Sequence, residues 1–126
     1  MDDYRQIIVL RKDLNMRKGK MVAQGAHASM AALLNIAKKT DEGFVIPNDP
    51  RIMPWLSGKF KKITVSVNSE EELFAIEKLA KEAGIITSLI LDSGLTEFKE
   101  PTYTAVAIGP DLTSKISPIT GHLPLL

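Results

Sequence analysis

The run Ile7-Ile8-Val9-Leu10, preceded by Gln6, constrains this chain most. Consecutive large apolar residues cannot alternate between core and water, so a strand built from them is buried on both faces. A sheet around such a strand needs a covering layer on each side. The segments that follow can supply those layers. Arg11 to Gly19 is polar and basic and reads as a loop. From Lys20 to Lys39 the chain is rich in Ala, Met and Leu without proline, which predicts a helix. Val22, Ala26, Ser29, Met30, Leu33 and Ala37 would form its small and apolar face. Thr40 to Pro54 holds Gly43, Pro47, Asn48-Asp49-Pro50 and Pro54, so an irregular loop is expected there. Trp55-Leu56 would pin its end to the body.

Lys62 to Val67 alternates through Ile63, Val65 and Val67 and predicts a second strand. Ser69-Glu70-Glu71-Glu72 is a capping box. Leu73, Ile76, Ala80 and Ala83 mark the apolar face of the helix it opens, and Gly84 fits the left-handed position past its end. Ile85 to Leu91 and Tyr103 to Ile108 predict two more strands. Gly109-Pro110 is expected to stop the last one, before a short helix over Asp111 to Ile116. The order β-α-β-α-β-β-α predicts an α/β fold, three-layer α/β/α around a four-stranded mixed sheet, in a single domain over residues 1–126.

The chain has no cysteine, which excludes disulfides, thiolate metal sites and thiol catalysis. Its two histidines, His27 and His122, are far apart, so no local metal motif is expected. The N-terminus starts with Asp2 and Asp3, the wrong charge for a signal peptide, and no apolar run approaches a bilayer span. A cytoplasmic protein without membrane association is the expectation. Net charge is only +1, but it is unevenly spread. Residues 1–39 carry eight basic and three acidic side chains, whereas residues 68–100 carry three basic and eight acidic ones. Arg51, Lys59, Lys61 and Lys62 form a second basic stretch. If the two basic stretches share a face, that face suits phosphates; otherwise they are solvated surface charges.

Lys20, Gln24 and His27 fall within roughly one 60° sector of a helix. An ammonium, an amide and an imidazole thus share one stripe, after a loop bearing Arg17, Lys18 and Gly19. Such a stripe at a helix start can receive an anion, helped by free amides and the helix dipole. The same spacing fits a solvated helix face. Asp92-Ser93-Gly94-Leu95-Thr96 follows the third predicted strand. Ligands of open α/β sheets collect beyond the carboxyl ends of strands. If the first and third strands run in the same direction, Asp92 and Lys20 emerge at one edge. Asp92 and Gly94 would otherwise simply make a turn. No Gly-x-Ser-x-Gly elbow, P-loop or dinucleotide fingerprint is present.

The segment Arg11-Lys12-Asp13-Leu14-Asn15-Met16-Arg17-Lys18-Gly19-Lys20-Met21-Val22-Ala23-Gln24-Gly25-Ala26-His27-Ala28 resembles the N-terminal signature R-x-D-L-x-M-x-x-G-K-x-x-A-Q-x-x-H-A of the archaeal and eukaryotic, or type 2, peptidyl-tRNA hydrolases. Asp92-Ser93-Gly94-Leu95-Thr96 is similar to that family's D-A-G-x-T segment. Ala107-Ile108-Gly109-Pro110 and Thr120-Gly121-His122-Leu123 resemble its closing motifs. The matches keep the family order and span nearly the whole chain.

The resemblance implies a four-stranded mixed sheet between helices and hydrolysis of peptidyl-tRNA without metal or other cofactor. It places site residues on Lys20, Gln24, His27, Asp92 and Thr96, with Lys20, His27 and Asp92 expected to be catalytic. Gly94 belongs to the same motif, and basic residues at Arg17, Lys18 and Lys20 would meet the tRNA. The chain departs from the family pattern at Ala26, where serine is frequent, and at Leu95, where arginine is common. Phe98-Lys99-Glu100-Pro101 replaces the usual I-A-P-G turn. Two other functions remain open from these departures: a non-catalytic tRNA-binding or adaptor domain, and an aminoacyl-tRNA editing esterase. Exposed Met and Leu near the helices could support a homodimer.

Overall fold

The computed structural model describes residues 3–126. Its main sheet has four strands: β1 (Tyr4–Arg11), β4 (Lys62–Val67), β5 (Thr87–Asp92) and β6 (Thr102–Leu112), in the order β4-β1-β6-β5. β1 runs parallel to β4 and antiparallel to β6, and β5 is antiparallel to β6. β1 and β5 therefore point the same way, and their carboxyl ends share one edge of the molecule.

The expected double burial of β1 is realised. Ile7 and Val9 pack with α3 (Glu70–Glu82) and α4 (Thr113–Thr120) on one face. Ile8 and Leu10 pack with α1 (Lys18–Leu34) and α2 (Ile52–Ser57) on the other. Full burial of each such side chain contributes about 1.5–3 kcal/mol. This gives the three layers. Gln6, also fully buried, is satisfied inside: it donates to the carbonyls of Ser29 and Gly109 at 3.3 Å each, and accepts from the Ser29 hydroxyl at 2.5 Å.

α3 begins at the predicted Ser69 cap, but its glutamate reaches the amide one residue before the cap instead of the cap's own. The Glu72 N–H donates to Ser69 Oγ at 3.1 Å, and Glu72 Oε2 accepts from the Asn68 N–H at 3.4 Å. Leu73, Ile76 and Ala80 are buried, whereas Ala83, in the C-cap position, is exposed. Gly84 takes the left-handed conformation with φ 73°.

Four expectations are corrected. α1 ends at Leu34 rather than Lys39: the Ile36 N–H closes a tighter turn on Leu33 O at 3.2 Å, and the chain becomes a strand from Lys38. The presumed loop after it contains a hairpin, β2 (Lys38–Thr40) with β3 (Gly43–Val45), and then α2. Pro54 does not break α2, since it sits in the first turn, where a missing N–H costs nothing. Trp55 anchors this segment: it is 1% exposed and donates its indole N–H to Lys61 O at 2.8 Å.

Gly109-Pro110 does not stop β6, which continues to Leu112. The β1–β6 register shifts between Arg5 and Ile7, and that irregularity accommodates a residue without an N–H. The terminal helix consequently runs over Thr113–Thr120 instead of Asp111–Ile116.

The fourth correction concerns the buried face of α1. Gln24, Gly25, Ala28, Ser29, Ala32 and Leu33 face the core. Val22, Ala26 and Met30, expected there, are exposed. α1 lies over β6, β5 and β1 and leaves the β4 side of the sheet open. The uncovered flank is an apolar groove of about 790 Å³ containing Met21, Val22, Ala26 and Met30.

Candidate functional site

The first turns of α1 meet the end of β5 at the shared edge of the sheet. The Lys20 ammonium donates to Asp92 Oδ1 at 2.7 Å and to Thr96 Oγ1 at 2.6 Å. The Gln24 amide donates to the same Asp92 oxygen at 3.4 Å. The other carboxylate oxygen accepts from the Gly94 N–H at 3.0 Å. Gly94 has φ 81°, and a Cβ there would stand 2.5 Å from the Glu100 carbonyl carbon. Only glycine lets the loop fold back this tightly. The condition set by strand direction is thus met, and residues 72 positions apart form one cluster.

The Lys20 and Asp92 side chains are only 12% and 10% exposed. In such surroundings an ion pair is held more strongly than on an open surface. The Lys20 hydrogen bond holds the Asp92 carboxyl below its usual range, against the opposing effect of burial. The Gly94 N–H and the charges of Lys20 and His27 add to this depression. Asp92 is therefore an anion at neutral pH. His27 is exposed and lies close enough to Asp92 to act on it through charge.

Several partners had no signal in the sequence. Thr104, fully buried on β6, donates to Gln24 Oε1 at 2.5 Å and fixes which way the amide points. Gln24 is accordingly 6% exposed rather than part of a solvated stripe. Phe98 places its ring centre 5.7 Å from Lys20 Nζ, within cation–π range. Glu97 accepts from the Arg17 N–H at 3.2 Å and pairs with its guanidinium at 3.4 Å. The β5–β6 loop is thereby tied to the start of α1.

The expected basic residues divide. Arg17 stands at the site, with its side chain 87% exposed. Lys18 lies instead on the rim of the apolar groove, as does Lys62. Others in the basic stretches are matched by carboxylates: Arg11 by Asp13 at 2.6 Å, Arg51 by Asp49 at 2.7 Å, and Lys61 by Asp3 at 3.8 Å. Among the family departures, Ala26 lines the groove, away from the stripe bearing Lys20. Leu95 is 86% exposed on the loop between Gly94 and Thr96.

No group of three or more His, Cys, Asp or Glu among the described residues is placed to hold a metal ion. No helix among them is long and apolar enough to cross a membrane.

An ammonium, an anchored carboxylate and a fixed amide converge where a sheet edge meets a helix start. Those groups can stabilise an oxyanion, orient water and hold an acyl substrate. Fold and site together define a small three-layer α/β protein with a polar pocket suited to acyl chemistry.

The family model for Peptidyl-tRNA hydrolase PTH2 matches residues 4–126. The peptidyl-tRNA hydrolase of Methanocaldococcus jannaschii is 45% identical over 122 residues, covering 97% of this chain and 99% of that protein. That of Thermococcus onnurineus is 39% identical over 123 residues, covering 98% of each. That of Methanothermobacter thermautotrophicus is 43% identical over 122 residues, covering 97% and 99%. The chain belongs to the peptidyl-tRNA hydrolase PTH2 family.

Proposed function

We propose that the Lys20–Asp92 pocket is where this chain hydrolyses the ester bond of peptidyl-tRNA, releasing peptide and free tRNA. The activity follows from the family. The observation that carries the site is the 2.7 Å contact between Lys20 Nζ and Asp92 Oδ1, joining α1 to the end of β5.

Water attacks the ester carbonyl carbon, and the carbonyl oxygen becomes an oxyanion. The Lys20 ammonium stabilises that charge. Asp92 holds Lys20 in place and accepts a hydrogen bond from the attacking water. Gln24, locked by Thr104, and Thr96 hold the acyl group or the water by hydrogen bonds. The tetrahedral intermediate collapses with cleavage of the C–O bond. The ribose 3′ oxygen leaves and takes a proton. His27, exposed and within electrostatic reach of Asp92, carries the proton from water to that oxygen.

tRNA is gripped through its phosphates by Arg17 and Lys18, so affinity falls as salt rises. The protein works in the cytoplasm. The apolar groove beside α1 supports a homodimer, and sedimentation of the pure protein tests this.

The deciding experiment incubates the pure protein with N-blocked peptidyl-tRNA and with unblocked aminoacyl-tRNA. Cleavage of the first alone is expected, and Lys20→Ala should slow it by about 10²–10³ while the fold survives. Cleavage of the aminoacyl ester instead would indicate an editing esterase. Binding without cleavage would indicate an adaptor. An unchanged rate in Lys20→Ala would remove Lys20 from the chemistry.

A further inference from the structure

β5 is an end strand of the sheet, and its outer edge has no strand partner among the described residues. The opposite end strand is treated differently. The last residues cover β4, where the Ser66 N–H donates to Pro124 O at 3.0 Å and the Leu126 N–H to Thr64 O at 3.2 Å. Open edges usually carry lysine, proline or another charge that discourages pairing. Thr87-Ser88-Leu89-Ile90-Leu91 has none, and the first charge along β5 is Asp92. The Gly109 N–H meets the Ile86 carbonyl at 2.7 Å, toward β6. By the antiparallel alternation, Ser88 and Ile90 also bond to β6, and the main-chain groups of Thr87 and Leu89 point outward. A register shift between Ile90 and Leu91 then re-aims the strand just before Asp92.

We infer that this edge binds the peptide of the substrate as an extended strand parallel to β5, through main-chain hydrogen bonds. The inference rests on ester cleavage at the Lys20–Asp92 pocket. Direction follows from the substrate's chemistry. The ester lies at the peptide's carboxyl end and Asp92 at the carboxyl end of β5, so a parallel strand delivers the bond to the site. In that arrangement one peptide residue donates to Thr87 O and accepts from the Leu89 N–H. The residue two positions nearer the ester donates to Leu89 O. Leu89 stands about 10 Å from Asp92 at strand spacing, so these bonds form a few residues back from the ester. Main-chain recognition suits a substrate whose side chains vary, because every residue except proline offers the same donor and acceptor. It also gives a physical basis for preferring peptidyl to aminoacyl esters. A lone amino acid has no peptide unit that reaches Leu89. The competing occupant is a second copy of this chain, pairing β5 against β5.

The test uses the unmodified protein and a series of substrates: N-acetylated tRNA esters carrying one to six residues, and hexapeptide esters N-methylated at one position each. kcat/KM should rise with length, by about 5-fold for each main-chain bond gained. N-methylation should reduce it at alternate positions only, by a similar factor. Equal rates along the length series, or equal effects of methylation at every position, would overturn the edge while leaving ester cleavage intact. No cleavage of any member would remove the hydrolytic assignment, and the edge with it. Hydrogen exchange at Leu89 supplies the remaining arm. Protection that grows with protein concentration in the absence of tRNA would assign the edge to a second copy and overturn the proposal.

Discussion

A double-mutant cycle on Lys20 and Asp92 tests whether the two act as one unit. Asp92→Ala leaves the Lys20 ammonium, 12% exposed, with only the Thr96 hydroxyl and the Phe98 ring. It also removes the acceptor of the Gln24 amide and the Gly94 N–H. Breaking a fully buried pair costs about 3–5 kcal/mol, and exposed pairs are worth at most about 1 kcal/mol. A pair with roughly a tenth of its surface wet belongs between these limits, at about 2 kcal/mol. Lys20→Met keeps the length of the side chain and leaves Asp92 its other two donors, so about 1 kcal/mol is expected there. The double variant should lose little more than Asp92→Ala alone, giving a coupling of about 1 kcal/mol. Urea denaturation measures this directly. In a chain of 126 residues, 2 kcal/mol corresponds to a fall in Tm of about 6–10 °C. Cleavage should follow the same logic. Each single variant should lose about 10²–10³ in kcat, and the double variant no more than that. Stability losses that add within about 0.5 kcal/mol, together with rate losses that multiply, would refute the argument that Asp92 acts through Lys20.

Thr104→Val nearly preserves shape but strips the donor from the buried Gln24 carbonyl. It should cost about 1–3 kcal/mol in denaturant unfolding and lower kcat/KM, because the amide loses its fixed direction. Gly94→Ala should loosen the loop that shapes the site and reduce cleavage more than it reduces Tm. Equal activity would show that the left-handed turn is dispensable. Asp49, held at about 2 mainly by hydrogen bonding from Arg51, contributes stability that is present above its ordinary value of 3.8. That contribution should fade as pH falls from 3.8 toward about 2. It should also be missing in Asp49→Asn, which acid titration followed by circular dichroism would reveal.

Legibility in the sequence followed the range of the interactions. The Lys20, Gln24 and His27 stripe depends on helical spacing alone, and it was visible. So was the cap at Ser69, whose partner is three residues away. Thr104 carried no signal, because its partner Gln24 lies 80 positions earlier and a threonine in a strand is unremarkable. Phe98 figured only within a departure from the family pattern and Glu97 not at all, because their partners Lys20 and Arg17 lie across the fold on α1. The apolar face of α1 was misplaced for a related reason. Val22, Ala26 and Met30 have the right polarity for a core, but the sheet beneath them is left open on the β4 side.

Local pattern alone therefore missed the hairpin and α2 after α1 and left the polar stripe open to a solvated reading, but it indicated the main strands and helices and the need for layers on both faces of β1. Those properties depend on neighbours a few positions apart, where the backbone dictates direction. Strand order, the buried side of α1 and the distance between an amine and a carboxylate 72 positions apart were decided by tertiary packing. Such quantities arise from competition among surfaces for burial, and no short stretch of chain contains both contestants.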